Sequence, residues 1–185
     1  MIRKSEPWYI HAVLIVIIAV LTYVLIRVAI IEPNEVLANE KYWKAESRLR
    51  MSNLKEAEIL YEKKHAKFTD NLDSLINFLK TDASVMKAIT GYDTITQRST
   101  NPFDTLSDGN LVWDSLYFSP KSFQKYLIAV DTTTDVDTVI NRRGQIVSID
   151  SNVVIGTLYK IEDPDGYGTI GDVYSQALKH TASWE

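Results

Sequence analysis

The chain has 185 residues, room for one modest domain and one membrane-spanning helix. It carries 20 basic against 24 acidic side chains, a net charge of −4, and no cysteine. Nucleic-acid binding is disfavoured, because phosphate contacts need concentrated Lys and Arg, and disulfides, thiolate metal sites and Cys nucleophiles are excluded. The balance is uneven. Residues 1–31 hold Arg3, Lys4 and Arg27 against Glu6, leaving 17 basic and 23 acidic side chains for the remainder.

The run from Trp8 to Ile31 has a single charged residue, Arg27. Its 24 residues span about 36 Å as a helix, enough for a hydrocarbon core of about 30 Å. Pro7 suits a first helical turn, and Trp8 and Tyr9 suit the headgroup interface. A cleaved signal peptide would have a shorter apolar core and a small-residue site after it, which Arg27-Val28-Ala29-Ile30-Ile31 does not supply. A permanent anchor is the expectation. His11 and Arg27 are its candidate contacts with partner helices. Arg27 also lies close enough to the end to snorkel to headgroups, and His11 reads as interfacial rather than as a proton relay. Arg3 and Lys4 favour a cytoplasmic N-terminus. Glu32 and Glu35 follow the span, then Lys41, Lys44, Arg48 and Arg50. The immediate flanks and the lack of cysteine point to a bacterial inner membrane with the domain, residues 32–185, in the periplasm.

Glu32-Pro33-Asn34 predicts an interruption of the helix, with Asn34 able to cap a new one. From Glu35 to about His65 there is neither Pro nor Gly, and Tyr42, Ala45, Leu49, Met51, Leu54, Ala57 and Tyr61 form a drifting apolar stripe among charges that include Glu46, Arg48, Arg50 and Glu58. This is a long amphipathic helix, either a core helix or a stalk. Tyr42, Leu49, Leu54 and Tyr61 are the candidate stalk interface. Lys67–Asp70 breaks the pattern. Thr69, Asp70 or Asn71 then caps a second helix with Leu72, Leu75, Ile76 and Leu79 on one face. A short element follows near Ala83–Ile89 and stops at Gly91.

Residues 92–110 read as a surface loop with room for a short strand. Leu116–Phe118, Tyr126–Val130, Val136–Ile140, Gln145–Ile149 and Thr157–Ile161 read as short strands, with Asp131–Asp137 as a hairpin tip. Helices first and strands afterwards predict an α+β domain with a small antiparallel sheet. A brief helix is expected near Tyr174–Leu178.

No nucleophile, zinc, phosphate-loop or dinucleotide motif occurs, and the three histidines share no ligand spacing. No catalytic, cofactor or metal residue is therefore assigned, and an enzyme is not expected. The acidic loop 162–172 places Asp163, Asp165, Gly166 and Asp172 at the third, fifth, sixth and twelfth positions of an EF-hand loop. Ile161 cannot ligate from the first position, and an Asp/Gly turn closing a strand is the preferred reading.

The stretch from Leu49 to Leu75 resembles the first-helix exit of pilins and type II secretion pseudopilins: a helix ending at Tyr61, a polar segment, the aromatic Phe68, then a helix opening Asn71-Leu72-Asp73-Ser74-Leu75. The acidic Gly-rich loop is similar to the calcium loop of major pseudopilins, and Ala182-Ser183-Trp184-Glu185 resembles the ending of a group of envelope proteins with this helix–loop–helix. No glycine–aromatic cleavage site precedes the apolar run and no Glu sits early in it, so prepilin processing and filament assembly are not implied. The resemblance implies a pseudopilin-like fold and a role as a non-catalytic subunit of a cell-envelope complex, in contact with lipid and with other inner-membrane proteins. The complex would be a protein-transport (secretion) apparatus or a proton-driven motor of the ExbB/ExbD kind. The alternative is a membrane-anchored module that binds a ligand or peptide.

Overall fold

The computed structural model describes residues 8–95 and 97–185. Arg3, Lys4 and Pro7, which the sequence enlists for orientation and helix start, lie outside the described residues. The chain is α+β and forms two compact units, divided between Trp43 and Lys44.

In the first unit, helix α1 runs from Trp8 to Ile26 and leaves every side chain exposed. An i→i+5 turn, Arg27–Ile31, leads directly into helix α2, Glu32–His65. The helical run Trp8–His65 is, among the described residues, the one long and apolar enough to cross a membrane. Contrary to the sequence expectation, Pro33 does not interrupt it. Proline takes away the donor that Ala29 would meet in an α-helix and crowds the preceding turn. The wider turn takes up this defect: Glu32 N–H donates to the Arg27 carbonyl, and Ile26 and Glu32 keep right-handed helical dihedrals on either side.

In the second unit, α2 is the spine. Met51, Leu54 and Ala57 are fully buried, and the helix ends where Ala66 takes a positive φ of 59°. Helix α3, Leu72–Thr81, starts as predicted: the Asn71 side chain accepts from Ser74 N–H, and Leu72, Leu75, Ile76 and Leu79 turn inward, joined by Phe78. Asp82 caps helix α4, Ala83–Thr90, by accepting from Ser84 N–H, and Val85 is its buried residue. Residues 92–110 contain a small antiparallel pair, β1 (Tyr92–Asp93) and β2 (Arg98–Ser99). They are more than a surface loop, because Phe103 and Leu106 are buried in the core.

The sheet differs from the sequence reading in continuity. Leu116–Phe118 is not a strand: Trp113–Tyr117 is a 3-10 turn whose Leu116 is buried, and only Phe118 bridges Lys125. Strand β3 runs unbroken from Leu127 to Ile140 and pairs with β4, Ile146–Glu162, from Leu127 opposite Glu162 to Ile140 opposite Ile146. Asp131–Asp137 is therefore strand, not hairpin tip, consistent with the β-branched Thr132, Thr133, Thr134 and Val136 and the absence of Gly, Asn or Pro. The reversal is at Asn141–Gly144. The Asn141 side chain accepts from Arg143 N–H and Gln145 N–H at 2.9 and 3.0 Å, and Gly144 supplies φ +75°. Strand β5, Thr169–Gly171, adds to the other edge of β4 opposite Lys160–Glu162, and Ala182 bridges Ile170. The C-terminal helix shrinks to a 3-10 turn at Gln176–Leu178. Tyr159, Ile161 and Ile170 carry the base of this sheet into the helix core.

Candidate functional site

The first unit offers one ion pair at the end of the apolar run. An α-helix aligns residues three or four apart, whereas the i→i+5 turn brings Arg27 and Glu32 together, Nε to Oε1 at 4.0 Å with both side chains more than half exposed. Arg27 thus has an acidic partner in its own chain. His11 lies one turn into α1, on an exposed surface that also carries Trp8 and Tyr9.

The four residues of the candidate stalk interface separate. Leu54 is fully buried in the core of the second unit, and Leu49 and Tyr61 pack against that core. Tyr42, 52% exposed, belongs to the first unit. Leu49, Leu54 and Tyr61 are thereby engaged within their own domain, and Tyr42 alone of the four keeps a largely open side chain.

The polar residues of α2 that a helical wheel places on solvated faces are the surprise. Glu46, Ser47, Asn53 and Glu58 are all buried. Each acts on a segment distant in sequence. Arg50 donates through Nη1 to the carbonyls of Ser115 and Phe118 at 3.0 and 2.8 Å, and through Nε to Glu46 at 2.9 Å. Glu46 also accepts from the backbone N–H of Ser107 at 3.0 Å and from its hydroxyl. Burial by itself would raise the Glu46 pKa, but the bonds from Ser107 and Arg50 outweigh it and hold the carboxyl below its usual range. Asn53 imitates a backbone: its amide donates to Asp104 C=O and its oxygen accepts from Asp104 N–H, both at 2.9 Å. Ser47 meets the Tyr126 hydroxyl at 2.9 Å. Arg48 donates to Tyr167 C=O and lies over the Trp184 ring, 4.8 Å from its centre. These contacts tie irregular segments to one helix, since buried backbone groups outside regular structure must find partners.

Glu58 is different. Its Oε2 accepts from Thr69 N–H at 3.2 Å, and Oε1 meets no protein partner. Burial, with Asp70 and Glu62 adding negative charge nearby, pushes its pKa up to about 8. Close by, Tyr159 reaches His180 Nδ1 at 3.1 Å, and Phe68 packs on Tyr159. Burial raises the Tyr159 pKa, and burial together with Lys179 lowers that of His180.

The acidic loop is a structural turn. Asp163 is buried and accepts from Tyr167 N–H at 3.0 Å, and Gly166 N–H donates back to Asp163 C=O. Asp165 points elsewhere, accepting from Ser122 N–H and from the Ser119 hydroxyl; against a burial penalty, these bonds hold its pKa down. The carboxylates that an EF-hand pattern would converge are thus dispersed, and no group of three potential metal ligands gathers among the described residues. Two open grooves flank the exposed Tyr174. One, about 390 Å³, is lined by Lys160, Asp172, Leu178 and Thr181; the other, about 490 Å³, by Asp131, Thr132 and Leu158.

No protein family, curated protein or solved structure matches this chain.

The buried polar clamp along α2 was missed by sequence reasoning. Charged residues in a helix carry no local mark that distinguishes a solvated face from one that loops later cover.

Proposed function

We propose that the chain is a non-catalytic, single-pass subunit of a bacterial inner-membrane complex, with its N-terminus in the cytoplasm and its α+β domain in the periplasm. The observation that carries the reading is the helical run from Trp8: its apolar surface is exposed through Ile31, and a surface of that kind is satisfied by lipid or by partner helices. The buried polar residues of α2 are occupied in holding the domain's own loops, which suits a rigid part of an assembly. The secretion apparatus and the energy-transducing motor both take such a part. In the motor version, Arg27 would exchange Glu32 for an acidic group on a partner helix, so charge reversal at Arg27 disrupts assembly.

A second reading, a membrane-anchored binding module, is favoured by the groove of about 390 Å³ beside Lys160 and Tyr174. The deciding experiment is extraction of the tagged chain from native membranes in mild detergent, followed by weighing of the intact complex. Other membrane proteins in fixed ratio support the subunit. A lone monomer or homodimer rejects it and leaves the binding module.

A further inference from the structure

The turn between β3 and β4 differs in chemistry from the rest of the domain. Residues 138–149 contain Arg142 and Arg143 and no Asp or Glu, within a region, 32–185, that carries an acidic excess. Both arginines are exposed, and among the described residues neither guanidinium has an ion-pair partner. Beside them Val139, Ile146 and Val147 are 48%, 61% and 65% exposed. The pairing of Ile140 with Ile146 and of Val139 with Ser148 places these aliphatics next to the turn, and the Asn141 hydrogen bonds fix the turn itself. β5 reaches only Lys160–Glu162, so among the described residues this end of the ribbon has two strands and no third.

Two exposed cations on a fixed turn, beside three exposed aliphatics, suit an interface between acidic headgroups and acyl chains. Guanidinium forks match phosphate oxygens, and aliphatic side chains gain by leaving water at the acyl boundary. A lipid surface is favoured over an acidic protein because the chain has a helix long and apolar enough to span a bilayer, which keeps phospholipid at hand. We propose that the β3–β4 tip docks on an acidic phospholipid surface, with Arg142 and Arg143 at the phosphates and Val139, Ile146 and Val147 at the acyl boundary. This inference rests on the membrane anchor alone, not on the chain being a machine subunit.

The absence of cysteine makes the test clean. The full chain with Val147→Cys, labelled with an environment-sensitive fluorophore, is reconstituted into phosphatidylcholine vesicles with and without phosphatidylglycerol. Spin-labelled lipid serves as quencher, and it registers contact with the host bilayer or with an apposed vesicle. Quenching that appears with phosphatidylglycerol and fades with salt is the expected result. Adding Arg142→Ala and Arg143→Ala should lower the ratio of contacting to free tips by about thirty-fold. The fluorophore's own affinity for lipid is common to both chains, so their difference reports the arginines. Absent quenching, or quenching indifferent to lipid charge and to the arginines, overturns the proposal. Disulfide cross-linking between two unlabelled copies of the Val147→Cys chain, if independent of lipid, also overturns it, in favour of a second copy.

Discussion

Glu58→Gln is expected to stabilise the domain at and above neutral pH and to remove one component of its pH dependence. In the folded state the Glu58 carboxyl is fully buried and holds its proton up to about pH 8, whereas its ordinary value is 4.5. Between these two values the unfolded chain releases the proton and the folded chain keeps it. The folded state therefore binds more protons, and stability falls as pH rises. This loss is absent below pH 4.5, grows through the interval and levels off above about 8. At 1.36 kcal/mol per pKa unit it amounts to about 3 kcal/mol at pH 7 and about 5 kcal/mol above pH 8. Glutamine has nearly the same shape, can still accept from Thr69 N–H and cannot ionise. Its NH2 faces the unpartnered Oε1 position, as the carboxylic O–H does, so that cost is common to both. The assay is urea unfolding of the full chain in detergent from pH 5 to 9, followed by the emission of Trp113 and Trp184. The two chains differ at Glu58 alone, so the difference between their curves isolates that carboxyl. The gap should widen steadily from pH 5 to 8. Parallel curves would refute the reasoning, because they would mean that the carboxyl is not held neutral.

Gly156→Ala should cost about 3 kcal/mol, because the residue has φ +79° and a Cβ would stand 2.8 Å from the Phe68 carbonyl oxygen. Gly144→Ala, with φ +75° and open space, is the control and should cost only about 1–2 kcal/mol in the same urea assay. Asn53→Leu leaves Asp104 N–H and C=O unpaired against α2 and should cost about 3 kcal/mol, with faster amide exchange at Asp104 as its local mark. Pro33→Ala restores a donor for the Ala29 carbonyl, so the wide turn should relax to an α-helix. Cysteine accessibility along Trp8–Ile26 should then shift in phase by up to about 100°, one residue's rotation, and an unchanged phase would show that proline does not hold the turn.

Some features of this protein are decided locally and are therefore legible in its sequence. The span from Trp8 to Ile31 needs only length and apolarity. Helix α3 needs only the Asn71 cap and the spacing of Leu72, Leu75, Ile76 and Leu79. The presence of antiparallel strands after Tyr126 follows from short-range alternation. Where those strands begin and end does not. The polar run Thr132–Asp135 interrupts the apolar pattern but is rich in β-branched threonine, and it is strand because β4 lies opposite it along its length, while the true reversal uses the hydrogen bonds of Asn141 and the dihedrals of Gly144. The Pro33 junction likewise turns on a compensating i→i+5 bond one residue upstream.

The candidate sites divide in the same way. Arg27 is conspicuous in any reading because a charge in an apolar run is costly, yet its Glu32 partner follows from the wide turn and not from helical spacing. Glu46, Asn53 and Glu58 sit in a sequence of ordinary solvated appearance. Only the segments 103–119 and 66–69, folding back from far along the chain, make them interior. Burial depends on what covers a residue, and here the covering chain lies 11 to 61 positions away. The sequence by itself therefore determined the long apolar N-terminal helix and the start of α3. The tertiary structure decided which charges are buried, where the sheet turns, and that its arginine-bearing tip is left uncovered.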